Sequence, residues 1–177
     1  MSRKKNMMIE SKIHTKRVLL RKFKDEDIID FYEIVKKHEV GEWLGVERGM
    51  TFVESENYIN TIINHWTIHK FGVWAVISKI NNRIIGHCGL RCFNETQDVE
   101  IIYLLEPKFW GQGFATEAGA AAVQFAFESL KIDTLHARIR SSNGKSKNVI
   151  KKLGFSFVED REYEGRTLSY YMMHNPT

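Results

Sequence analysis

Two prolines and two cysteines are all that the 177 residues hold of either type. So little proline excludes Pro-rich linkers, and 12 glycines without a triplet period exclude a collagen-like chain. Two cysteines cannot build a disulfide framework, and a chain of this length needs none. As one domain it buries about 70% of its unfolded surface. Long apolar runs are missing too: Ile101–Leu105 falls far short of the ~20 residues of a membrane helix. The start, M-S-R-K-K-N-M-M-I-E, is basic but lacks the apolar core of a signal peptide. The expectation is a soluble cytoplasmic protein with no membrane partner. Nor is there a large excess of one charge. Lys+Arg number 26 against 22 Asp+Glu, a net +4 with pI near 9.0. That permits an anionic ligand without calling for nucleic acid. What is present argues for a packed core: 43% hydrophobic and 12% aromatic residues, spread along the chain.

Charge is uneven locally. Between Lys131 and Phe155 stand Lys131, Arg138, Arg140, Lys145, Lys147, Lys151 and Lys152, with Asp133 as the only acid. This is either a solvated helix face or a surface for a phosphorylated ligand. Cys88 and Cys92, if on one strand, sit ~13 Å apart at ~3.3 Å per residue. A disulfide needs Cα atoms within ~7 Å, so they read as free thiols. His65 and His69 have the spacing of a helical metal pair, but Trp66 stands where H-E-x-x-H needs Glu. No metal is expected.

The first 14 residues read as a flexible N-terminal segment and residues 15–177 as a single domain. Arg17–Phe23 suggests a first strand. Lys24-Asp25-Glu26-Asp27 opens a helix carrying Ile28, Phe31, Ile34 and Val35 at helical spacing. Gly41–Gly49 reads as a loop bearing Trp43. Thr51 and Glu54 fit a capping box, predicting a helix to about Lys70 with Phe52, Tyr58, Ile59, Ile62, Ile63 and Trp66 as its stripe. Strands are predicted at Val73–Lys79, Arg83–Phe93 and Asp98–Leu105, the first two joined by an Asn81-Asn82 turn. Asp133–Arg140 alternates cleanly as a strand. Asn143–Leu153 predicts a helix closed by Gly154, and Phe155–Val158 and Thr167–Met173 predict the last strands. Antiparallel strands followed by a strand–helix–strand–helix unit give an α/β (α+β) class with a mixed sheet.

The strongest motif is Trp110-Gly111-Gln112-Gly113-Phe114-Ala115-Thr116-Glu117-Ala118, between a strand and a helix. Glycines let backbone N–H groups converge, and the helix dipole adds positive charge there, which suits a pyrophosphate. A dinucleotide fingerprint would need Gly where Thr116 stands. A P-loop ending at Gly144-Lys145-Ser146 would need Gly where Ile139 stands. Neither NAD nor ATP is favoured.

This segment resembles the acetyl-coenzyme A motif of the GNAT superfamily of N-acetyltransferases, R/Q-x-x-G-x-G/A. Trp110, Gly113 and Ala115 occupy its fixed places, with Trp110 departing from Arg or Gln. The form W-G-x-G-[YF]-A-T-E-A is similar to the ribosomal-protein Nα-acetyltransferase subgroup. Asn143-x-x-Ser146 with Lys152-Leu153-Gly154-Phe155 resembles the superfamily's N-x-x-[AS]…K-x-G-F helix. The resemblance runs from about residue 15 onward. It implies a GNAT fold: a twisted mixed sheet splayed between the parallel strands Val99–Leu105 and Thr134–Arg140, helices on both faces, and acetyl-CoA as cosubstrate in the gap. It implies that Tyr103, Leu104 and Leu105 hold the pantetheine by backbone groups, with a bulge there exposing an oxyanion donor. Trp110, Gly111, Gln112, Gly113, Phe114, Ala115 and Thr116 would surround the pyrophosphate. Asn143 is an N-cap, a pantetheine partner, or both.

Many members of the superfamily supply a Tyr acid from the helix near the basic block; here that place holds Ile150. Ser146 is the candidate in its stead, the alternative being an ordinary helix-start serine. Glu100 is the candidate base, the alternative being a strand-surface carboxylate. Trp43 is the candidate wall of the acceptor site, whereas Trp66 and Trp74 read as core. The implied reaction is direct acetyl transfer to a primary amine, foremost the α-amine of a protein N-terminus such as that of a ribosomal protein. The alternatives are a small-molecule amine such as an aminoglycoside or polyamine, or a non-catalytic CoA- or RNA-binding module. Monomer and homodimer both remain open.

Overall fold

The computed structural model describes residues 12–93 and 98–176. Eight strands form one sheet: β1 (Lys12–His14), β2 (Val18–Lys22), β3 (Val73–Ser78), β4 (Ile84–Cys92), β5 (Val99–Leu105), β6 (Thr134–Arg140), β7 (Ser156–Tyr163) and β8 (Arg166–His174). Their order is β1-β2-β3-β4-β5-β6-β8-β7. Every neighbouring pair is antiparallel except β5 and β6. The helices are α1 (Ile28–Val35), α2 (His38–Gly41), α3 (Phe52–His69), α4 (Phe114–Gln124) and α5 (Gly144–Lys152).

Helices cover both faces of the sheet. On β3, Ala75 pairs with His87 and Trp74 with Cys88, so the two pairs point to opposite sides. His87 stacks on Phe31 of α1 and Tyr58 of α3. Trp74 meets Phe125, which continues α4. β3 is therefore buried along its whole length and reads as an apolar run from Val73 to Ile77. Trp66 and Trp74 are core residues in edge contact, with Trp66 Nε1 donating to Val73 O. Cys88 and Cys92 are free thiols on the same strand.

Local chemistry sets the helix ends. Thr51 Oγ accepts Glu54 N–H and the Glu54 carboxylate accepts Thr51 N–H, the predicted capping box. α3 stops where Lys70 turns left-handed at φ 64°. Asn143 Oδ1 caps α5 by accepting Ser146 N–H at 3.0 Å, and Gly154, at φ 97°, follows its end.

The fold departs from the sequence reading in places. Lys12–His14, assigned to the N-terminal segment, pair with β2 as a strand; residues 1–11 lie outside the described residues. A helical turn, α2, precedes the Trp43 loop. Phe52 is 42% exposed rather than part of the buried stripe. β7 runs to Tyr163, well past Val158. It is an edge strand exposed along its length, so its polar sequence has no alternation to read. Its hairpin to β8 turns through Glu164 and Gly165, both at positive φ.

Candidate active site

β5 and β6 pair at only two positions, Val99 with Leu135 and Glu100 with His136. Among the described residues no further register pair joins them, although β5 continues to Leu105 and β6 to Arg140. Tyr103, Leu104 and Leu105 thus line one side of a widening gap. On the other edge β5 keeps regular register with β4 through Leu105, so the expected bulge is not there. The irregularity falls between β3 and β4, beside Gly86. A Cβ on Gly86 would lie 2.1 Å from Leu104 O, so β4 approaches the gap-lining strand closely only because residue 86 has no side chain.

After β5 the chain passes Trp110 and turns through Gly111 and Gly113, at φ 71° and 81°. Phe114, Ala115 and Thr116 then open α4. Gly111, Gln112 and Gly113 are exposed. A Cβ on Gly111 would meet nothing within 4 Å, and one on Gly113 only Arg17 Nη2 at 3.4 Å. A helix start, two left-handed glycines and open space fit a phosphate group. Arg17 braces this turn. Its Nη1 donates to Gln112 O at 2.8 Å and its Nε to Glu117 at 2.6 Å, and its guanidinium lies 4.1 Å over the Phe114 ring. Trp110 Nε1 donates to Leu105 O at 2.7 Å, tying the turn to the end of β5. Lys145 Nζ lies 4.9 Å over the Trp110 ring, bringing positive charge from α5 to the same end of the gap.

Ser146 stands in the first turn of α5, half-buried. Its hydroxyl is 2.8 Å from the Tyr103 hydroxyl, which also donates to Ser146 O at 2.9 Å. Burial raises the Tyr103 pKa, so the phenol stays protonated. The pair bridges β5 to α5 at the gap.

Glu100 is on the other face of β5 from Tyr103, so the two expected catalytic residues are not brought together. It is 1% exposed. Arg138 holds it through two hydrogen bonds of 2.7 and 2.8 Å, and Arg91 Nε adds a third at 2.7 Å. Burial pushes its carboxyl up; the hydrogen bonds and charges of the two arginines outweigh that and hold it below the ordinary carboxylate range. The structure thus shows the candidate base engaged by two guanidiniums, an arrangement that weakens it as a proton acceptor. On the same face Tyr58 Oη lies 2.8 Å from His87 Nε2. Burial takes Tyr58 up to about 12 and His87 down to about 3, so both are neutral.

Trp43 is half-buried in the loop after α2. Arg166 Nη2 donates to Gly45 O at 2.7 Å, and Glu47 lies 3.4 Å from Arg166 and 3.9 Å from Arg140. The loop is thereby tied to the ends of β6 and β8 beside the gap.

Residues 17–156 match the acetyltransferase (GNAT) domain family. The chain belongs to this family. It is an N-acetyltransferase, and the splayed β5/β6 pair is the gap of a GNAT fold. An uncharacterized N-acetyltransferase, p20 of Bacillus licheniformis, is 27% identical over 167 residues, covering 90% of this chain and 93% of that protein. A GNAT-family acetyltransferase from Bacillus anthracis superposes with TM-score 0.81 at 22% identity, covering 94% of this chain and 99% of that one. The ribosomal L7/L12 α-N-protein acetyltransferase RimL, solved in complex with coenzyme A, does so with TM-score 0.75 at 16% identity, covering 90% and 95%.

Sequence reasoning missed Arg17, Tyr103 as the partner of Ser146, and the arginine pair around Glu100. Arg17 opens the strand predicted at Arg17–Phe23, but nothing in that segment signals a contact with residues 112 and 117. The other contacts depend on strand register and helix docking.

Proposed function

We propose that this GNAT enzyme transfers the acetyl group of acetyl-CoA directly to the α-amine of a protein N-terminus, such as that of a ribosomal protein. The observation that carries the choice of acceptor is the double-arginine cage around Glu100. It leaves Glu100, the candidate base, a weak proton acceptor. An α-amine with pKa ~7.8 is roughly one-tenth neutral at pH 7, whereas a lysine at ~10.4 is neutral in only about one part in a few thousand. Only the first reacts well without base assistance. The backbone likeness to a ribosomal-protein Nα-acetyltransferase agrees with this acceptor.

In this reading the glycine turn at 111–113 and the first turn of α4 hold the pyrophosphate, with Arg17 fixing the turn. The pantetheine lies along Tyr103–Leu105. The amine nitrogen forms its bond to the acetyl carbon as the carbon–sulfur bond breaks, and one amine proton passes to water. Ser146 Oγ–H donates a hydrogen bond to the departing sulfur, which takes its proton from solvent on release. For this the Tyr103 O–H donates to Ser146 Oγ in place of Ser146 O, which orients the serine hydroxyl and leaves its proton for the sulfur. Neither cysteine enters: Cys88 is buried in the core with its thiol pushed up to about 12, so no acyl-enzyme is formed there.

The test is thiol release from acetyl-CoA against N-terminal peptides, lysine peptides, polyamines and aminoglycosides. The expected result is turnover confined to N-terminal peptides. Selective turnover of a polyamine or aminoglycoside would replace the acceptor while keeping the transferase.

A further inference from the structure

His65 and His69 lack a third ligand in their own helix. The fold supplies one. β3 begins at Val73, opposite Gly89, so the end of β4 runs past it and carries Cys92 to the last turns of α3. The ligand atoms of His65, His69 and Cys92 all lie within 4.8 Å of one another. Cys92 Sγ is 3.6 Å from His69 Nδ1, and the two imidazole centroids are 4.3 Å apart.

We propose that His65, His69 and Cys92 form a binding site for a borderline-soft divalent cation of the zinc class. Two imidazoles and a thiolate with no carboxylate suit zinc or cobalt and exclude magnesium and calcium. All three side chains are half-buried, so water can complete a tetrahedron. His65 is oriented as metal-binding histidines are: Nδ1–H donates to Phe71 O at 2.9 Å, which fixes the tautomer and leaves the lone pair on Nε2. That lone pair accepts Cys92 N–H at 3.1 Å. The bond directs Nε2 at the end of β4. A cation takes its place, and the released N–H turns to water. Metal bonds of about 2.0–2.3 Å require the widest ligand separation to close by roughly 1 Å, within reach of side-chain rotation. Cys92 binds as the thiolate, so cation entry breaks S–H, forms the sulfur–metal bond and releases one proton to solvent. Arg91, whose charge reaches His65, is paired with Glu100. A bound cation ties the C-terminal end of α3 to the end of β4.

The test is a Co²⁺ titration of the reduced full chain, followed by Zn²⁺. The expected result is a thiolate-to-cobalt charge-transfer band with four-coordinate visible bands at one equivalent, bleached by Zn²⁺, with one proton released per cation. Cys88→Ser keeps the band, Cys92→Ser abolishes it, and His69→Gln weakens binding by about tenfold or more. Zn²⁺ raises the thermal midpoint of the wild type but not of Cys92→Ser. Absence of the charge-transfer band, or its persistence in Cys92→Ser, overturns the proposal. Neither readout depends on acetyl transfer.

Discussion

The Tyr103 and Ser146 hydroxyls lie 2.8 Å apart although 43 residues separate them in the chain. Tyr103 stands on the strand that lines the gap and Ser146 on the helix beside it. One hydrogen bond therefore sets where the serine hydroxyl points. If that hydroxyl meets the departing sulfur, Ser146→Ala lowers kcat by about 10²-fold, the lower end of the range for a placed proton donor. Tyr103→Phe keeps the ring and removes the bond, so it lowers kcat less, by roughly tenfold, with the KM for acetyl-CoA little changed. Steady-state kinetics at saturating acetyl-CoA checks both. Equal kcat in wild type and Ser146→Ala removes the serine from the chemistry.

Glu100 binds two arginines from the neighbouring strands, and the substitution Glu100→Gln leaves two guanidiniums around a neutral amide. Breaking a buried ion pair costs roughly 3 kcal/mol, reduced here by the partial exposure of Arg91. The sign follows from the lowered carboxyl pKa. The stabilisation is complete above the unfolded value of about 4.3 and is lost as pH falls through the lower folded value. Denaturant unfolding of both proteins should show a gap at pH 7 that narrows toward acid. The pH profile of kcat/KM should keep its apparent pKa in Glu100→Gln. A profile that loses its acid limb would restore the carboxylate as the base.

What the sequence showed, and what it did not, follows from the range of the signals. The Thr51–Glu54 capping box and the Asn143 cap are contacts three residues apart, and both were readable as motifs. The glycine turn was readable because left-handed backbone at 111 and 113 demands glycine. Arg91 opposite Glu100 depends on the register of β4 against β5. Arg138 reaches the same carboxylate from β6, two residues beyond the last paired position on that strand. Periodicity within one strand carries no register information, so Glu100 looked like a free carboxylate. Cys92 beside His65 and His69 was hidden for the same reason. The extension of β7 from Val158 to Tyr163 was hidden because an edge strand exposed along its length has no apolar pattern to match.

The glycine turn separates binding from stability. Gly111 has φ 71°, so Gly111→Ala costs about 1 kcal/mol in backbone strain, and its Cβ meets no protein atom. The methyl group instead occupies the open space assigned to the pyrophosphate. The expected result is a KM for acetyl-CoA raised about tenfold or more, while the thermal midpoint falls by only a few degrees. Isothermal titration with coenzyme A and a thermal melt measure the two effects. Unchanged coenzyme A affinity would move the phosphate site elsewhere.

His87 provides a pH readout independent of catalysis. It is buried, neutral and bonded to Tyr58, with a pKa taken down to about 3 against about 6.5 unfolded. The unfolded chain therefore binds one more proton than the native state between these values. Stability should drop as the pH is lowered through that window, by about 1.4 kcal/mol per unit from this residue alone. His87→Gln retains a partner for the Tyr58 hydroxyl but has no titration of its own. Its unfolding free energy should be lower at pH 7, and its slope between pH ~6 and ~5 shallower by about one proton, a range above that in which ordinary carboxylates titrate. Identical slopes for the two proteins would mean that His87 reaches water, and that the Phe31–Tyr58–His87 stack opens without unfolding the chain.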